Sequence, residues 1–91
     1  MISRDNCLDT AKRLINGDRK DDYGDAYLMH ERIAHMWMRY LDFQVNLKAR
    51  DVAAMMILLK IARLRRQSKD DTWIDICGYA ALGSEMEESD D

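Results

Sequence analysis

Residues 48–66 read KARDVAAMMILLKIARLRR. Val52, Met55, Met56, Leu58, Leu59, Ala62 and Leu64 fall on nearly every side of a 3.6-residue repeat, which predicts a helix apolar almost all round. Such a helix sits in the middle of a bundle or at a subunit interface. Its apolar run, Val52 to Leu59, is far short of the roughly 20 residues that span a bilayer.

Outward from this segment, three more helices can be drawn. Ser68 to Asp70 is a short polar turn, so the next helix, from about Asp71 to Met86, returns antiparallel to the first. It carries Trp73, Ile74, Ile76, Cys77, Tyr79, Ala80 and Leu82. Upstream, Asp25 caps a helix that runs to about Leu41 with Ala26, Met29, Ile33, Ala34, Trp37 and Leu41 as its apolar positions. Phe43 and Val45 are expected to fold back over its end. The first helix runs from about Arg4 to Asn16, with Ser3 as cap and a left-handed stop at Gly17. Cys7, Ala11, Leu14 and Ile15 form its buried face. The chain has no Pro and four Gly in 91 residues, too few for the turns of a sandwich or barrel. The expected architecture is therefore all-α: a four-helix bundle over residues 1–84, followed by an acidic, frayed tail at 85–91.

Charge narrows the partners. Lys and Arg number 14 against 17 Asp and Glu, for a formal net charge of -3, and five of those acids fall in the last seven residues. The body is close to neutral, which argues against a general nucleic-acid coat but leaves room for a ligand met by a few local cations. The charged start Met1-Ile2-Ser3-Arg4-Asp5 lacks an apolar signal core, so a cytoplasmic location is expected. Cys7 and Cys77 lack CxxC spacing and read as small core residues rather than as a disulfide.

Four constellations have chemical meaning. Lys60 and Arg63 share one face of the most apolar helix, where a cation needs an acid or a phosphate to meet it. The acid reading pairs them with Asp71 and Asp75 across the hairpin; the ligand reading makes Arg63 a bidentate phosphate clamp and Lys60 a point charge. Asp71, Asp75 and Tyr79 then lie one turn apart on one stripe. The two carboxylates suit Mg²⁺, and Trp73 and Tyr79 suit a stacked base; equally, they are a helix-start acid, an ion-pair partner and core aromatics. Tyr23-Gly24-Asp25 lets backbone approach a ligand at a helix start, or is simply turn plus cap. Glu31 and His35 are four apart on one helix, with His30 pointing elsewhere, and no HExxH pattern is present. Gly78 inside the last helix marks close backbone packing or space for a flat ligand. No nucleophile elbow, phosphate-binding glycine loop or paired-cysteine zinc site occurs.

Asp22-Tyr23-Gly24-Asp25, Trp37, Asp51-Val52-Ala53-x-Met55-x-x-x-Leu59-Lys60-x-Ala62-Arg63-Leu64 and Asp71-x-Trp73-x-Asp75-x-x-Gly78-Tyr79-Ala80-x-Leu82 form an ordered set over residues 8–84. It resembles a family of small helical proteins common in tailed bacteriophages and prophages. More remotely it is similar to nucleotide-modification-associated helical domains and to the MazG-like all-α nucleotide pyrophosphohydrolases. Those enzymes hold Mg²⁺ with an ExxE pair and a later ExxD pair. Here Ala34 follows Glu31 at the spacing of the first pair, and Asp71 and Asp75 stand one residue too far apart for the second.

The resemblance implies a MazG-like bundle completed by a second copy, a dimer first of all, and a phosphate-bearing ligand held without turnover. Three functions follow for a phage protein in the host cytoplasm. The first is a binder of a nucleotide or nucleotide-derived signal through Lys60, Arg63, Asp75, Tyr79, Trp73, Tyr23 and Asp25, serving phage nucleotide metabolism or sequestering a defence signal. The second is an interaction module or inhibitor of a host protein. The third is a Mg²⁺-dependent pyrophosphohydrolase with Asp71, Asp75 and Glu31 on the metal.

Overall fold

The structure, a computed structural model, describes residues 1–17 and 25–86. Among these residues the chain forms four α-helices and no strand: α1 (Arg4–Asn16), α2 (Ala26–Tyr40), α3 (Ala49–Leu64) and α4 (Asp70–Ser84). The all-α expectation holds, and each boundary falls within two residues of its sequence signal. No helix is long and apolar enough to cross a membrane among the described residues.

The helix starts have local causes. Ser3 Oγ accepts from the Asn6 N–H at 3.1 Å, and Asp25 Oδ1 accepts from the Leu28 N–H at 3.1 Å. At α3 the cap position holds Lys48, a poor cap. Asp51 compensates by reaching back, its Oδ2 accepting from the Lys48 N–H at 2.8 Å.

Packing runs in the order α1, α4, α3, α2: α4 lies against both α1 and α3, and α2 lies against α3. Two apolar clusters fasten this arrangement. Cys7, Ala11 and Ile74 join α1 to α4, with Ile2, Leu14 and Cys77 around them. Ala49, Ala53 and Met86 join α3 to the end of α4, with Ala26, Tyr27 and Leu82 around them. Glycines let α4 sit close on both sides. A Cβ at Gly78 would lie 3.2 Å from Ile15 Cγ2, and one at Gly83 would lie 3.1 Å from Ala53 Cβ.

Two expectations are corrected. Gly17 ends α1 at φ -123°, not in the left-handed region; its N–H donates to the Arg13 carbonyl at 2.9 Å, and that carbonyl leaves a Cβ only 3.0 Å of room. Phe43 and Val45 do not fold back over α2 but stay exposed. Instead the Phe43 N–H turns onto the Met38 carbonyl at 2.7 Å, with Asp42 and Phe43 both at positive φ. Of the two settings expected for α3, the middle of a bundle or a subunit interface, the first is not met within one chain. Its buried residues, Ala49, Val52 and Ala53, all lie in its first half, while Met55, Leu58, Leu59 and Ile61 are exposed. Residues 18–24, and residues 87–91 of the acidic tail expected at 85–91, lie outside the described residues.

Candidate functional site

α1 and α2 flank an open-sided cavity of about 630 Å³, and residues from all four helices line it. Close packing leaves few voids larger than a water molecule in an ordinary domain, whereas this volume lies in the range of small-molecule sites. Small side chains on the inward faces, Ala11, Ala26 and Gly78, leave the space open. Larger ones, among them Ile33, Val52 and Met56, form an apolar wall. The polar groups are few. Asp25 and Glu85 belong to the lining, and Asp75, Tyr79 and His30 stand on the α4 and α2 sides.

His30 is the group that the sequence reading missed. It is buried, 6% exposed, between Ala26 and Ala34 at spacings of four along α2. Its Nδ1 lies 2.8 Å from the Ala26 carbonyl oxygen, which can only accept, so Nδ1 carries the proton. In the neutral ring Nε2 is then a lone-pair acceptor. Nε2 is buried and has no hydrogen-bond partner. An orphaned buried acceptor costs about 1–3 kcal/mol. The Tyr79 ring stands beside it, centroids 6.1 Å apart and planes tilted by 59°. The usable signal was in the sequence: Ala26, His30, Ala34 and Met38 repeat every four residues, and three of them are buried.

The structure brings together some of the expected site residues and separates others. Asp25, Asp75 and Tyr79 line the cavity. Lys60 Nζ lies 3.0 Å from Asp75 Oδ2, with the two side chains only 15% and 18% exposed, so the acid expected across the α3–α4 hairpin does meet Lys60. Arg63 is exposed, and so is Asp71. Trp73, 47% exposed, donates its Nε1–H to Ser68 Oγ at 3.2 Å and marks the α3–α4 turn rather than the cavity wall. Tyr23 lies outside the described residues. Among the described residues no three His, Cys, Asp or Glu come together as a metal-holding group; Glu31 sits on α2, Asp71 and Asp75 on α4.

Behind the cavity, Cys7 and Cys77 are free thiols with sulfurs 3.7 Å apart. Burial pushes the Cys7 thiol above its ordinary value, and the neighbouring Cys77 sulfur and the Asp70 carboxylate act in the same direction. The thiolate is the nucleophile, so iodoacetamide at mildly alkaline pH is expected to label Cys7 at least about tenfold more slowly in the native protein than in the unfolded chain. Peptide mass mapping over time reads this. Equal rates would mean that the α1–α4 seam opens freely.

Residues 6–87 match the family model described as Domain of unknown function (DUF6378). A protein described as "Gene 55 protein" from Mycobacterium phage L5 is 48% identical over 85 residues, covering 92% of this chain and 54% of that protein. Its namesake from Mycobacterium phage D29 is 38% identical over 74 residues, covering 80% of this chain and 48% of that protein. The chain thus spans about half the length of these relatives. No solved structure matches.

Proposed function

The chain belongs to the DUF6378 family of small phage proteins, and on that premise we propose that it binds a nucleotide or nucleotide-derived ligand without turnover, sequestering a defence signal or serving phage nucleotide metabolism in the host cytoplasm. One observation carries the reading: the cavity of about 630 Å³ with Tyr79 and His30 set in an apolar wall. The base enters against Tyr79. Lys60, one ion pair from the cavity wall through Asp75, and Arg63 meet the phosphate end, and Asp25 stands at the start of α2. Mg²⁺ enters only as a companion of the phosphates. The MazG-like relation belongs to this proposal, as does a second copy that completes the bundle over Met55, Leu58, Leu59 and Ile61 of α3.

A second reading, an interaction module that engages a host protein, draws on that same exposed stretch of α3. Mg²⁺-dependent pyrophosphate hydrolysis has less support, because Glu31, Asp71 and Asp75 are not gathered.

Thermal unfolding against linear and cyclic nucleotides, with and without Mg²⁺, tests the proposal. A ligand at 100 times its dissociation constant adds about 2.7 kcal/mol. In a domain of this size that is on the order of ten degrees. Recovery of the ligand intact after incubation would separate a binder from an enzyme. No shift with any member of the panel would overturn nucleotide binding in favour of a protein partner.

A further inference from the structure

Resting on that ligand-binding reading, we infer that His30 reads the ligand, and that the end it reads is a neutral heterocycle presenting a ring N–H. The argument starts from the locked tautomer. In the neutral ring, with Nδ1–H committed to the Ala26 carbonyl, Nε2 offers a lone pair. That atom is shut off from bulk water and has no protein partner. A donor that enters through the cavity His30 lines, in place of any water there, completes its hydrogen bond. The entering atom is therefore a donor; a phosphate oxygen or a bare ring nitrogen cannot serve.

The electrostatics point the same way. The acids and the histidine described along the lining are Asp25, Asp75, Glu85 and His30, with no Lys or Arg among the described lining residues. Asp75 is already paired with Lys60 and Asp25 and Glu85 are exposed, so an anionic group finds no cation among the described lining residues, and the phosphate end stays outside, toward Lys60 and Arg63. The tilted Tyr79 ring and the aliphatic side chains of Ile33, Val52 and Met56 suit a flat, uncharged ring. Together these suit a flat, uncharged ring with a donor on its edge, and the lactam or imide N–H of uracil or hypoxanthine is the donor this proposal assigns.

Calorimetric titration with matched probe pairs tests this. Uridine and inosine are each compared with the derivative methylated on the ring nitrogen, and so is benzimidazole, a ring with an N–H but no sugar. Wild type and His30→Phe, which keeps the ring volume and drops both nitrogens, are titrated side by side. Should His30→Phe fail to fold by circular dichroism, His30→Asn keeps a donor for the Ala26 carbonyl and takes its place.

The expected result is a penalty of about tenfold or more for N-methylation in wild type, lost in the variant. Nucleotide binding that ignores both N-methylation and the His30 change would overturn the role of His30 while sparing the nucleotide reading. Discrimination within the benzimidazole pair alone, with no nucleoside or nucleotide bound, would do the reverse. No binding by any probe would overturn both.

Discussion

Asp75→Ala is expected to cost the fold about 3 kcal/mol, the cost of leaving a largely buried cation without its partner. The cation is Lys60, whose Nζ lies 3.0 Å from Asp75 Oδ2 with side-chain exposures of 15% and 18%. Such a pair contributes little over two well-packed apolar residues, because desolvation offsets most of its attraction; breaking it is what costs. Lys60→Met combined with Asp75→Leu is therefore expected to recover most of the loss, and urea unfolding of both singles and the double reads the coupling. In a domain of this size the single change lowers Tm on the order of 15 °C. A loss below about 1 kcal/mol would mean that the pair behaves as an exposed one. The experiment also bears on function: a nucleotide that protects wild type but not the double variant needs the pair for its grip, whereas equal protection frees Lys60 from that role.

The sequence was most informative where a local rule decides the outcome. Ser3 and Asp25 each accept from the backbone three residues on, and the polar turn at 68–69 brings Lys60 to Asp75. It was least informative where the outcome depends on what stands opposite. The apolar pattern of α3 is compatible with burial on every side, yet only Ala49, Val52 and Ala53 are buried within the chain. Periodicity records that a face is apolar, not that another helix exists to cover it. His30 failed for the converse reason. The spacing of Glu31 and His35 set His30 on another face without saying what lies there, and α2 turns it inward, where its own helix satisfies one nitrogen. Gly78 was legible as a close approach, here to Ile15. That it also borders a cavity depends on α1 and α2 standing apart, and no spacing within either helix encodes that distance.

The cavity and the core are made by the same small residues, which concentrates stability in the few large side chains that remain. Met86 is the clearest case. It is 2% exposed and, with Val52, one of the two largest fully buried side chains among the described residues. The other buried members of its cluster are Ala49 and Ala53, so Met86 supplies most of the apolar volume there. Met86→Ala is accordingly expected to cost about 3 kcal/mol, within the range for emptying a buried methionine site. Met36→Ala, at a side chain 60% exposed, should stay within about 0.5 kcal/mol. Because Met86 also lines the cavity, its truncation removes part of the wall as well as the anchor at the end of α4. Any ligand that stabilises wild type should then protect Met86→Ala less, even after the loss of intrinsic stability is subtracted. Chemical unfolding with and without that ligand separates the two effects. A Met86→Ala variant as stable as Met36→Ala would show that α4 is not pinned to α3 at this end.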